Sequence, residues 1–293
     1  MATTAQKPKL VVIVGPTASG KSALSLKIAK EFDGEIICAD SRTVYKGIDI
    51  GTAKPTKQDR AKVKHWGLDL VEPGQRFTAY RFKKYAQAAI SDINSRGKLS
   101  ILVGGTGLYI DSVIFDFGFR DDANLLKRQK LESLSVLELQ EIIKKAGYKI
   151  SENSQNKRHL IRAIETKGRA GARKSSLPKG VILVGILPPD GVIKEQVGQR
   201  AEQIFANGVL SETKKLVRKY GKEAIAETGG IAYKICLEIL AGKIIEAEAI
   251  EKFKKADWQY ARRQKTWFRR NKFIHWFSDA EQASNYIKAQ LNT

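Results

Sequence analysis

Residues 10–22 read Leu-Val-Val-Ile-Val-Gly-Pro-Thr-Ala-Ser-Gly-Lys-Ser. The first five are apolar and four of them are β-branched, a run that suits a strand buried on both faces. The next eight fit Gly-x-x-x-x-Gly-Lys-Ser/Thr. Behind them, Leu24, Ile28, Ala29 and Phe32 recur at the spacing of one helix face. Strand, glycine turn and helix together open an α/β unit. In that setting Gly15, Pro16, Thr17, Ala18, Ser19 and Gly20 predict a turn whose backbone N–H groups point inward around phosphate oxygens. The helix start adds partial positive charge. Lys21 reaches the outer phosphate and the Ser22 hydroxyl suits Mg²⁺. The stretch predicts a cradle for a di- or triphosphate but does not say which compound it holds.

The rest of the chain extends the unit. Glu35–Ala39 predicts a second strand ending at Asp40, and Gly67–Val71 a third. Thr78 can cap a helix running to about Ser95. Leu99–Val103 is a further apolar strand, closed by Gly104-Gly105-Thr106-Gly107, and Val181–Leu187 is another. Apolar strands alternating with helices predict an α/β fold, a P-loop NTPase-like parallel sheet covered on both faces. The pattern changes over residues 115–178, which are polar, helical and basic. Lys127–Lys179 holds 14 Lys and Arg against five Asp and Glu. Leu131–Ile143 reads as one amphipathic stretch there and His159–Thr166 as another. The predicted organisation is a discontinuous catalytic core, 1–114 and 179–293, interrupted by a helical insertion domain, 115–178. The core ends in helices predicted at 193–206, 211–220, 230–240 and 246–271.

The composition narrows the class of partner. There are 52 Lys and Arg against 31 Asp and Glu, a formal net charge of +21. Charged residues are 28% of the chain, an ordinary share, so the sign of the charge is the unusual feature. Such a surplus points to a polyanionic partner. Two cysteines, Cys38 and Cys236, cannot build a disulfide framework and suit free thiols in a reducing compartment, the cytoplasm. No apolar run is long enough to predict a membrane span, and residues 1–9 do not read as a secretory leader. Three histidines, at 65, 159 and 275, are too scattered for an imidazole metal site.

Asp40 stands at the carboxyl end of its predicted strand, where α/β sheets place their sites. It can ligate a metal through water, accept a proton from a nucleophile, or simply shape a turn. Its neighbours carry more information. GPTASGKS (15–22), DSRTVYKGIDIGTAKP (40–55), GGTGLY (104–109), RAIE (162–165) and QYARRQKTWFR (259–269) occur in that order. Together they resemble the tRNA dimethylallyltransferase family, the tRNA isopentenyltransferases.

That resemblance implies transfer of the dimethylallyl group from dimethylallyl diphosphate, with Mg²⁺, to a tRNA adenosine. The acceptor is the exocyclic amine of the adenosine just 3′ of the anticodon, flipped from its stem-loop into a tunnel. Diphosphate leaves. By resemblance the catalytic residues are Asp40, Arg200, Lys21 and Ser22, with Asp40 contacting the amine and Arg200 the diphosphate. Ser22 is the metal-facing residue, and 15–22 bind diphosphate. Asp40, Ser41, Arg42 and Thr43 match a tRNA-contacting stretch, as do Arg158, His159 and Arg162 in the insertion. Many members carry Gln at the position of Thr43 and Arg at that of His159. On the last long helix the tRNA-binding residues are Arg262, Arg263, Gln264, Thr266 and Arg269. Arginines interleaved with Trp258, Tyr260, Trp267 and Phe268 suit phosphate contacts and base stacking, although at least two of these aromatics belong to the core. The resemblance also implies a monomer.

Three other readings compete. An isopentenyltransferase acting on free adenine nucleotides needs no anticodon surface. A P-loop kinase transfers a γ-phosphate and has no use for the other motifs. A non-catalytic RNA-binding protein has no need of an intact Lys21, Ser22 and Asp40. Charge placement favours an RNA substrate. Lys252–Lys272 holds nine Lys and Arg against one acid. That stretch and the insertion carry most of the surplus, leaving the rest of the core nearly neutral.

Overall fold

The structure is a computed structural model, and it describes residues 9–119, 125–149, 154–169 and 173–292. β1 (Leu10–Val14) leads through the glycine turn into α1 (Lys21–Glu31). β2 (Gly34–Cys38), α2 (Lys57–Lys62), β3 (His65–Trp66), α3 (Ala79–Ser95), β4 (Leu99–Gly104) and α4 (Gly107–Ile114) follow. Then come α5 (Leu125–Ser133), α6 (Val136–Lys145), α7 (Lys157–Glu165) and β5 (Val181–Ile186). The remainder is α8 (Asp190–Ala206), α9 (Val209–Tyr220), α10 (Lys222–Thr228), α11 (Ile231–Leu240), α12 (Glu246–Phe268), β6 (His275–Phe277) and α13 (Ala280–Leu291).

The six strands form one parallel sheet in the order β3-β2-β4-β1-β5-β6. Alternation along the strands sorts the core. Val11, Ile13, Ile101, Ile182 and Val184 face Leu24 and Ile28 of α1 and Ala283 and Ile287 of α13. Val12, Ile37 and Leu102 point the other way and are fully buried too, with α3 packed on β2 and β4. Phe82 of α3 and Tyr109 of α4 stack at 4.1 Å there. The predicted mixed α/β architecture is the one found. A second apolar cluster gathers Val44, Tyr45 and Ile48 beneath the later helices, around Phe205, Tyr233 and Phe253.

The register decides where function can sit. Val14 pairs with Gly104 and Gly185, and Cys38 pairs with Val103. The carboxyl ends of β1, β2, β4 and β5 are therefore level, and the loops that leave them share one rim.

The chain divides into two compact units, 1–114 with 177–293 and 115–176. The smaller unit has its own apolar core of Leu131, Leu139, Ile143, Leu160, Ile161 and Ile164.

Several element boundaries differ from those predicted. The third strand lies at His65–Trp66 and not at Gly67–Val71, because Gly67 and Asp69 both adopt positive φ and turn the chain out of the sheet. The stretch 131–143 is two helices and not one. Ser135 interrupts it and caps α6, accepting from the Glu138 N–H, while the Glu138 carboxylate accepts from the Ser135 N–H. The tail after α12 holds an edge strand, whose three residues are too few to show alternation, and a further helix capped by Asp279 that was not predicted.

Candidate active site at the sheet rim

The turn between β1 and α1 is built by backbone geometry. Ala18 and Gly20 take positive φ, so the chain curls back on itself before the helix starts. Lys21 Nζ donates to the Pro16 carbonyl at 2.6 Å, folding the lysine over the turn. Burial lowers the Lys21 pKa to about 8; Arg200 adds to this, while Asp40 and Asp257 oppose it. The Ser19 hydroxyl, 4% exposed, has no partner among the described residues. A buried hydroxyl left unpaired beside a glycine turn is available to a ligand oxygen.

Asp40 stands two residues beyond β2. Its Oδ1 accepts from the Arg42 N–H at 2.7 Å and the Thr43 N–H at 3.4 Å. This is the turn-shaping use of an aspartate, and it engages only one carboxylate oxygen. The Ser41 N–H donates to Thr106 Oγ1 at 3.0 Å, fastening this loop to the glycine turn after β4. That turn is tight. A Cβ on Gly105 would lie 2.1 Å from Gln264 Nε2, and one on Gly107 2.1 Å from Trp267, so side chains of α12 occupy the space that glycine leaves.

These loops enclose a cavity of about 630 Å³, within the usual range for a small-molecule site. Thr17–Ser22, Asp40–Thr43, Arg200, Arg263 and Gln264 all line it, so most residues predicted for chemistry converge there. Arg200 Nη1 donates to Asp257 Oδ2 at 2.7 Å. Asp257 is 4% exposed, and burial pushes its carboxyl pKa up against the pull of Arg200 and Lys21. Tyr260 lines the same cavity, hydrogen-bonded to Thr106; burial raises its pKa to about 12, with Asp40 adding to the shift.

Other predicted residues are placed differently. Arg42 is half-buried, and its Nη1 donates to the carbonyls of Glu227 and Thr228 at 3.3 and 3.1 Å. Thr43 is buried, its hydroxyl donating to the Asp40 carbonyl. Gln264 was expected to reach toward RNA, but it is turned inward, with both amide atoms bonded to backbone. Arg262, Thr266 and Arg269 are exposed on α12 and its cap. Arg262, Arg263 and Thr266, with Gln259, Trp267 and Arg270, line a shallow outer groove of about 420 Å³. Arg158, His159 and Arg162 belong to α7 of the smaller unit; the first two are exposed, and Arg162 pairs with Glu165.

From sequence, Asp257 has no role, Tyr260 only stacking or core packing, and Gly51–Pro55 only membership of a motif; Asp257, Tyr260, Gly51, Thr52, Ala53 and Pro55 line the cavity. Asp257 had a signal, being the single acid in a strongly basic stretch. The loop is held from outside the motif. Tyr233 OH donates to Glu212 and accepts from the Gly51 N–H, Glu212 accepts from the Ile50 N–H, and buried Lys54 pairs with Asp49 and Asp69.

Fold and cavity define a class first: a P-loop-like α/β protein whose sheet rim brings a glycine-rich turn, a carboxylate and an arginine into one cavity. Within it, residues 43–271 match the family model described as IPP transferase. The chain belongs to that family. A tRNA dimethylallyltransferase of Staphylococcus epidermidis is 36% identical over 98% of this chain and 92% of its own length. One from Thermoanaerobacter sp. (strain X514) is 38% identical over 97% and 96%. Among solved structures, a Bacillus halodurans tRNA isopentenylpyrophosphate transferase superposes with a TM-score of 0.73 at 33% identity, covering 98% of this chain and 97% of that one. A eukaryotic dimethylallyltransferase acting on tRNA gives 0.74 at 27% identity, covering 89% and 70%.

Proposed function

We propose that this chain transfers the dimethylallyl group of dimethylallyl diphosphate to the exocyclic amine of a tRNA adenosine, the one just 3′ of the anticodon. The observation that carries the reading is that one cavity holds the phosphate loop, Asp40 and Arg200 together in a chain of the IPP transferase family. Membership makes the chain a tRNA-modifying prenyltransferase.

The chemistry follows from the groups present. The amine nitrogen forms a bond to the allylic carbon, the carbon–oxygen bond breaks, and its electron pair leaves with diphosphate. Negative charge grows on the leaving group, where the loop amides, Lys21 and Arg200 stabilise it. Arginine suits that role because its fork matches phosphate oxygens and keeps its charge. An adenine amine is a weak nucleophile and must lose a proton, and the uncommitted oxygen of Asp40 accepts it. Mg²⁺ fits the donor set. The Ser22 hydroxyl faces the cavity beside the glycine turn, and Asp257 adds a carboxylate at its wall. No group of three or more His, Cys, Asp or Glu gathers among the described residues. Mg²⁺ is characteristically held by few protein oxygens together with phosphate oxygens and water. When bound, it neutralises charge on the departing diphosphate.

The exposed arginines of α12 contact the anticodon stem-loop; within the smaller unit, Arg158, His159 and Arg162 are the residues proposed to contact tRNA. The enzyme works as a monomer in the cytoplasm. Both thiols are buried and free. None of the helices among the described residues is long and apolar enough to cross a membrane.

The test offers labelled dimethylallyl diphosphate and Mg²⁺ with unmodified tRNA, AMP or no acceptor. Label on tRNA alone is expected. Label on AMP and not on tRNA overturns the reading in favour of a free-nucleotide enzyme, and ATP turnover without prenyl transfer overturns it in favour of a kinase.

A further inference from the structure

The Gln264 side chain lies between two loops that leave adjacent parallel strands. Its Oε1 accepts from the Thr17 N–H at 2.8 Å, inside the phosphate turn after β1. Its Nε2 donates to the Gly105 carbonyl at 3.0 Å, in the glycine turn after β4. The residue is 6% exposed and Gly105 is buried, so the bond to the Gly105 carbonyl is shut off from water. A primary amide carries donor and acceptor in one rigid plane, which lets one side chain satisfy an N–H and a C=O at once. A carboxylate offers no donor for Gly105, and an apolar chain offers nothing to either. Gly105 is fitted to this contact, because a Cβ there would meet Nε2 at 2.1 Å.

Gln264 sits on α12 between Arg263 and Lys265, and Arg262, Arg263 and Thr266 of the same helix line the outer groove. The helix thus turns one side to solvent with arginines and the other to the cradle with an amide. We propose that Gln264 is a positioning residue for the donor: it fixes the phosphate turn against the glycine turn and so sets the shape of the diphosphate cradle, and it does not read RNA. The inference rests on the proposed prenyl transfer for the identity of the donor. Its test needs no turnover.

Gln264→Glu keeps the acceptor for Thr17 and loses the donor for Gly105. Gln264→Met removes both. Gly105→Ala leaves Gln264 in the chain and drives its amide out of place. Each is compared with the wild type for binding inorganic pyrophosphate with Mg²⁺, and an unmodified anticodon stem-loop, by calorimetry. Displaced positioning groups cost up to about a hundredfold, so pyrophosphate is expected to bind roughly ten- to a hundredfold more weakly in all three. Stem-loop affinity stays within about twofold. Weaker stem-loop binding with normal pyrophosphate binding overturns the proposal and makes Gln264 an RNA contact. Loss of both ligands together makes it a general structural residue and overturns it too. If Gln264→Met does not fold, Gln264→Glu and Gly105→Ala decide; normal pyrophosphate affinity in both is again fatal to the proposal. Failure of the wild type to prenylate tRNA overturns the proposed function instead and leaves these binding comparisons standing.

Discussion

Arg200 on α8 and Asp257 on α12 meet at 2.7 Å, 57 positions apart in sequence. Arg200 stabilises a leaving diphosphate only if its fork is held in place before the charge develops. Asp257 can hold it there, and a buried carboxylate beside a polyanion site is otherwise an electrostatic liability. Asp257→Asn still accepts from the guanidinium but lacks the charge, and Asp257→Leu lacks both. Expected losses in kcat are about tenfold and about a hundredfold. The donor KM does not rise, because an acid has been taken from beside the phosphates. Steady-state kinetics check this; a raised KM with kcat intact would assign Arg200 to binding alone.

One substitution can separate the turn role of Asp40 from the base role proposed for it. Its Oδ1 shapes the turn through the Arg42 and Thr43 amides. Asp40→Asn keeps an oxygen for those amides and removes the base. Transfer should fall by at least about a hundredfold, the usual contribution of a general base, while stem-loop affinity and the thermal midpoint stay near wild type. Asp40→Ala should also lower the midpoint. A near-normal rate for Asp40→Asn would make the residue a turn former only.

Lys21 gives donor binding a pH dependence of definite sign. Its pKa is down at about 8 in the free protein. A bound diphosphate places negative charge beside the ammonium and raises that pKa. The complex therefore keeps a proton that the free protein releases above pH 8. Affinity for dimethylallyl diphosphate is flat below about pH 7 and falls above 8, approaching tenfold per pH unit, with proton uptake on binding. Calorimetry in buffers of different ionisation enthalpy reads the uptake directly. Lys21→Arg stays charged and should abolish the dependence. A wild-type affinity that is constant to pH 9.5 contradicts this account.

How far the site was legible depended on whether its residues act through local chain geometry. Gly15–Ser22 works through a turn and a helix start, and spacing alone exposes that. Asp40 is visible as a strand-end acid, where spacing leaves turn-forming and chemistry side by side; the hydrogen bonds show the turn role. Asp257, Tyr260 and the inward setting of Gln264 depend on which face of α12 meets the cavity. A stretch with nine cations and aromatics throughout has too little apolar contrast to orient its helix. Glu212 and Tyr233 were invisible for another reason, since they serve a loop more than 150 residues away, and nothing in their own neighbourhood marks them. In the fold, the long apolar strands were plain from sequence, and two- and three-residue edge strands were not.

The outward face of α12 leads to the last prediction. Arg262 and Arg269 are seven positions apart, two helical turns, and both are exposed. If they contact RNA phosphates, each displaces condensed counterions when the stem-loop binds. The slope of log affinity against log salt then falls by about 0.7 to 0.9 for each contact removed. Arg262→Ala with Arg269→Ala should therefore flatten the slope by roughly 1.5 while leaving donor affinity unchanged, since neither residue lines the inner cavity. Arg263 lines both the groove and the cavity and lies over the Tyr260 ring at 5.8 Å, so Arg263→Ala should weaken both ligands. Stem-loop titrations from low to moderate salt make the comparison. An unchanged slope in the double variant would move the RNA interface off this face of the helix.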